Sequence, residues 1–110
     1  MGGIVFFRTD DRAAVVEFYT DRVGASVWLE QPDCTILTFD GFRFGFLERG
    51  DPETEATLTF VVPHRSGVDR LHDELADVAT GEPVTNRTYA IYQFFAHDPE
   101  GRTVEVQTFL

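Results

Sequence analysis

Few residues in this chain have the capacity for chemistry. There are three histidines (His64, His72 and His97), one cysteine (Cys34), and a carboxylate, Glu105, set among apolar neighbours in the closing stretch Q-F-F-A-H-D-P-E-G-R-T-V-E-V-Q-T-F, residues 93–109. A divalent ion normally takes three or more protein ligands, and no His-x-x-x-His or Glu-x-x-His spacing offers even two on one helix face. A lone cysteine excludes an internal disulfide and a cysteine-based metal cluster, and with no basic partner nearby in sequence Cys34 reads as a small strand residue. His64 lies in an exposed P-H-R-S turn, and His72, one residue after Leu71, is expected on the polar side of a helix. His97 shares strand parity with Gln93 and Phe95 but lies close to a turn, so a rim position is favoured while a pair with Glu105 stays open.

The elements that must hold these groups follow from periodicity. Pro99 fixes φ and Gly101 can take positive φ, so the runs flanking Asp98-Pro99-Glu100-Gly101 fold back as a hairpin. In its second arm Val104 and Val106 point one way, and Thr103, Glu105, Gln107 and Phe109 the other. A mid-strand glutamate then has three explanations: a cation, a hydrogen-bonding ligand, or simple exposure on a wet sheet face.

Upstream, residues 3–8 read as a strand and Thr9 or Asp10 as the cap of a helix. Ala14, Val15, Phe18, Tyr19, Arg22 and Val23 recur in it at helical spacing, and Gly24 ends it. Strands over 25–30, 34–39 and 42–48 follow, separated by Gln31-Pro32-Asp33 and Asp40-Gly41 turns. After a polar connector the pattern repeats: a strand over 56–62, then a helix with Ser66 and Asp69 as a variant capping box and Val68, Leu71, Leu75 and Val78 on one face. Gly81 follows that helix, then a weak strand over 83–87 and strands over 90–97 and 102–109. Two copies of one β-α-β-β-β unit fill a single domain, 1–110: module 1 (1–49), connector (50–55) and module 2 (56–110). A ferredoxin-like sandwich would have fewer strands per helix.

An aromatic strand, then Asp-Pro-acid-Gly, then hydrophobic-Glu-hydrophobic resembles the closing hairpin of the vicinal oxygen chelate superfamily, the glyoxalase, bleomycin-resistance and extradiol-dioxygenase group. The first copy also carries that family's opening pattern: a short strand, an acidic residue, and a helix with Phe18-Tyr19 that closes at Val23-Gly24. The resemblance covers nearly the whole chain. It implies an α+β fold of two tandem βαβββ modules forming a curved, cup-like mixed sheet with helices on the outer face, and a homodimer, as in many relatives. Metal-using relatives carry four ligand positions, one each on the first and last strands of both modules. Matched on the flanking motifs, these fall on Ile4, Gly45, Thr57 (within one residue) and Glu105. Only Glu105 is of ligand type, so neither a metal nor a cofactor is expected, and Glu105 alone would serve if an ion were bound.

By strand parity and the resemblance together, the cup would be lined by Phe6, Arg8, Arg43, Gln93, Phe95, Glu105 and Gln107, joined by Trp28. The plainer account makes the aromatics core and lets the arginines snorkel to solvent. The expected ligand-binding set is Phe6, Trp28, Gln93, Phe95, Glu105 and Gln107, with no catalytic residue. Metal-free relatives such as the bleomycin-resistance proteins sequester flat cationic drugs, which implies a small-molecule-binding protein that takes an aromatic or cationic compound. The alternatives are a metal-dependent lyase or dioxygenase with atypical ligands, and a ligand-free homodimeric interaction domain.

Charge narrows the partners. The formal net charge is −10, and all nine basic residues are arginine. Such a surface repels nucleic acid and anionic membranes. With no apolar run near the ~20 residues needed to span a bilayer and no basic region followed by a long apolar stretch at the start, a cytoplasmic protein is expected. An acidic, lysine-free surface also resembles proteins of salt-in halophiles, in which salt of about 1 M or more shrinks the Debye length to ~3 Å and screens self-repulsion.

Overall fold

Alternating apolar runs joined by tight turns form eight strands, and the two helical-spaced segments form the helices between them. In the computed structural model, which describes residues 2–110, the order is β1 (Val5–Thr9), α1 (Arg12–Glu17) continued by a π-helical turn (Phe18–Val23), β2 (Ser26–Gln31), β3 (Cys34–Phe39) and β4 (Phe42–Glu48). Then come β5 (Thr57–Val61), α2 (Arg65–Glu74), β6 (Val84–Asn86), β7 (Ile91–His97) and β8 (Thr103–Phe109). This is an α+β fold with the βαβββ unit written twice. The chain divides into two compact units, one ending at Thr54 and one spanning Glu55–Leu110.

The first unit is a four-stranded sheet in the order β1-β4-β3-β2, with β1 parallel to β4 and the other pairs antiparallel. Asp40 and Gly41 both take positive φ, 47° and 87°, the geometry a two-residue hairpin demands, and this sets Phe39 opposite Phe42. Val15, Tyr19 and Val23 are buried, and the Tyr19 ring lies 5.3 Å from Phe44 and 5.4 Å from Phe46. Each such buried aromatic contributes roughly 1.5–3 kcal/mol. Neither Thr9 nor Asp10 caps α1. Thr9 stays in β1, paired with Glu48 and buried, and the cap moves to Asp11, whose Oδ1 accepts from the Ala14 N–H at 3.1 Å. Gly24, at φ 102°, ends the helix as its spacing requires.

The second unit repeats the plan as β5-β8-β7-β6, with β5 parallel to β8, and α2 packs on β7 and β8. Val68, Leu71 and Leu75 are buried, as are Phe94, Ala96, Val104 and Val106. The Ser66–Asp69 capping box does not form: the helix starts two residues earlier, with His64 at the cap position and no side-chain cap bond. Asp69 instead accepts from the Tyr92 hydroxyl at 2.6 Å, which, with some desolvation, raises the Tyr92 pKa above its ordinary 10.0. Nor does the helix reach Val78. It ends at Glu74, and the following turns deliver the chain to the sheet, where Val78 accepts from His97 N–H and Ala79 bridges to Ala96.

The closing hairpin turn conceals a buried ion cluster. Arg102 is fully buried and donates through Nη1 to Asp98 at 3.1 Å and to Glu100 at 2.9 Å. Asp98 Oδ1 also accepts from the Glu100 and Arg102 backbone N–H groups, so the turn and the cluster form one structure.

Candidate functional site

Glu105 sits mid-strand on β8, flanked in register by Thr59 on β5 and Phe95 on β7. Pairing register carries Thr57, Thr59, Val61, Gln93, Phe95, His97, Thr103 and Gln107 onto the same face, opposite the buried valines of β8. Thr59 Oγ1 donates to Glu105 Oε1 at 2.8 Å, and Gln93 Nε2 donates to Oε2. Gln93 is only 5% exposed, and its Oε1 accepts from Asn86 Nδ2 at 2.9 Å. Phe95, by contrast, is 40% exposed beside the carboxylate. Four of the expected site residues, Gln93, Phe95, Glu105 and Gln107, therefore share one face. Thr59 and Asn86, absent from the expected set, complete it. Thr59 had a signal in sequence, the same parity as Thr57 in T-L-T-F, whereas Asn86 lies in a weak strand with no periodicity to mark it.

In the first unit, Phe6 and Trp28 are 44% and 39% exposed. A bulge between Val27 and Leu29 interrupts the β2–β3 register, and the Trp28 ring lies under the Arg43 guanidinium at 4.5 Å. Arg8 is turned toward the connector: its Nε donates to the Asp51 carbonyl at 3.3 Å and its backbone N–H to Glu53 Oε1 at 2.8 Å. Phe6 pairs with Gly45 so closely that a Cβ on Gly45 would lie 2.8 Å from two ring carbons.

The histidines do not join Glu105. His97 pairs with Thr103 in the ladder, and His64 is exposed at the start of α2. His72 departs from its expected place on the polar side: its side chain is 13% exposed and meets Phe94 edge-on at 5.0 Å, while Nε2 lies 3.2 Å from the Gly81 carbonyl. Val68, Leu71, His72 and Leu75 follow i, i+3, i+4, i+7, so helix geometry puts His72 in the buried stripe. Cys34 is buried, and that burial, with Asp33 nearby, pushes its thiol pKa up.

Two surface cavities lie away from Glu105. One, of about 450 Å³, is lined by Arg12, Val16, Glu17, Asp21, Glu30 and Glu48, and the other, of about 430 Å³, by Val62, Pro63, His64, Ser66, Gly67 and Arg70. None of the six expected ligand-binding residues lines either one.

No family model matches the chain, and no curated protein matches its sequence. Solved structures match its fold. A glyoxalase/bleomycin resistance protein/dioxygenase family enzyme from Burkholderia phytofirmans is 20% identical, with 97% of each chain covered and a TM-score of 0.82. An integron cassette protein from the mobile metagenome of a Halifax Harbour sewage outfall is 17% identical over 99% of this chain and 100% of that one, TM-score 0.81. A lactoylglutathione lyase from Agrobacterium tumefaciens is 18% identical over 98% of this chain and 92% of that one, TM-score 0.77. The fold is that of the vicinal oxygen chelate superfamily.

Against the ligand positions of metal-using vicinal oxygen chelate proteins, the residues present do not fit a divalent ion. Ile4 and Gly45 bring no side-chain donor, and Thr57 brings one exposed hydroxyl. Both oxygens of Glu105 already accept hydrogen bonds. Among the described residues no group of three His, Cys, Asp or Glu comes together as a ligand set. No helix among them is long and apolar enough to cross a membrane.

Proposed function

We propose that this vicinal oxygen chelate-fold protein binds a small cationic or aromatic compound, with Glu105 as counter-charge and Phe95 as the adjoining aromatic face. The observation that carries the reading is the register pair Phe95–Glu105, which sets an exposed ring beside a carboxylate. A cation over such a ring gains ~0.5–2 kcal/mol, and the carboxylate adds a charge-assisted hydrogen bond. Gln93 and Gln107 flank the pair. On the first unit, Phe6 and Trp28 offer further exposed aromatic surface. The poor ligand set supports binding without a metal. A lyase activity like that named for the Agrobacterium relative would need ligands outside the four positions.

The test is calorimetric titration with a panel of small aromatic cations, repeated on Glu105→Gln. That variant is expected to weaken cation binding about tenfold with its melting temperature unchanged, since the Thr59 hydroxyl can turn to meet the new amide. Unchanged affinity would remove Glu105 from the site. A second reading, a ligand-free homodimeric interaction domain, is favoured by β2, an edge strand exposing Val27, Trp28 and Leu29 in succession. It predicts no binding anywhere in the panel.

A further inference from the structure

Every hydrogen bond leading to Glu105 from the β6 side has its direction set by the backbone. The N–H groups of Thr88 and Tyr89 both point at Asn86 Oδ1, at 3.1 and 3.3 Å. A backbone N–H can only donate, so this end of the Asn86 amide must be its oxygen and the other end its nitrogen. Asn86 Nδ2 then donates to Gln93, which must present Oε1 to it and therefore Nε2 to Glu105. Gln93 is 95% buried, and reversing its amide would set acceptor against acceptor at one end and donor against donor at the other. The order Thr88/Tyr89 → Asn86 → Gln93 → Glu105 therefore runs one way only. On the other side, the Thr59 hydroxyl commits its proton to Oε1.

What remains around Glu105 is acceptor capacity. Each carboxylate oxygen keeps a lone-pair site beyond the one already used, and Thr59 Oγ1 keeps its own. A ligand that meets this face must bring the protons. Phe95 alone would favour any cation, including one with no N–H at all.

We infer that the Glu105 face, whose remaining sites are all acceptors, selects cations carrying N–H donors, primary ammonium or guanidinium, over fully alkylated cations of equal charge, and that Asn86 is the positioning residue that holds Gln93 Nε2 on the carboxylate. This rests on the cation-binding reading above.

The experiment compares benzylammonium with benzyltrimethylammonium, two probes of the same charge and ring, by calorimetric titration of the whole chain at neutral pH. Binding of benzylammonium at least tenfold tighter supports the inference. Equal or tighter binding of the trimethylated probe overturns it while leaving the cation-binding reading standing. Failure of both probes to bind overturns both. Direction is read separately by NMR of the Gln93 side-chain amide. In the wild-type chain its resonances shift on Glu105→Gln. In Asn86→Asp, where residue 86 can accept from Thr88 and Tyr89 but has no proton to give, Gln93 faces a carboxylate at each end and can offer its one amide nitrogen to only one of them, so the response of its resonances to Glu105→Gln is reduced. An equal response in both backgrounds shows that Asn86 does not set the direction and overturns its role.

Discussion

The ring of Phe6 lies across Gly45, its cross-strand partner, so closely that a Cβ there would fall 2.8 Å from two ring carbons and 3.3 Å from Ile36 Cγ1. Gly45 is the residue that motif matching in the sequence sets at an expected ligand position, and the Phe6 ring occupies the space a side chain there would take. Any side chain at position 45 would require that ring to shift.

Gly45→Ala is therefore expected to destabilise the protein by about 1–3 kcal/mol, the usual cost of forcing a methyl group into occupied space. In a Phe6→Ala background the same change should cost markedly less. Urea denaturation of the four proteins of this double-mutant cycle checks it, and additive losses would show that Ile36, not Phe6, sets the limit.

Arg102 presents the second case. Its guanidinium is fully buried between Asp98 and Glu100 in the hairpin turn. Removing one partner from a buried ionic cluster costs about 3–5 kcal/mol, because the others stay buried without it. Arg102→Ala should show a loss of that order in the urea midpoint. A loss below about 1 kcal/mol would mean that the turn holds without the cluster.

The net charge of −10 sets a third expectation. Self-repulsion of such a surface is screened in concentrated salt and released in dilute buffer. The melting temperature should therefore fall when the protein is dialysed from multimolar KCl into low-salt buffer. Full retention of stability would count against a salt-adapted origin for the composition.

Strand parity in T-V-E-V-Q set Glu105 and Gln107 on one face and Val104 and Val106 on the other, and β8 shows that alternation in its burial. The Asp40-Gly41 turn and the edges of β3 and β4 were legible for the same reason: each depends on neighbours along the chain. Reading from neighbours failed where two interactions competed for one side chain. Asp69 could have closed a cap with Ser66 but bonds to Tyr92, 23 residues away. His72 follows Leu71 and looked polar, yet the helical repeat carries it against Phe94. Arg8 has the parity of a cup residue and is drawn instead to the connector at Asp51.

By itself, then, the chain determined its elements, their repeat, its charge and the isolation of Glu105, because periodicity and turn chemistry act over a few residues. Tertiary structure alone decided what Glu105 touches. Thr59 lies 46 residues from it in sequence, and the two meet only through the parallel register of β5 on β8. The direction of the bonds from Asn86 came from two backbone N–H groups whose aim depends on how residues 86–89 turn. Parity can say which side of a strand a residue takes. Only the pairing of distant strands brings it within hydrogen-bonding distance of a partner.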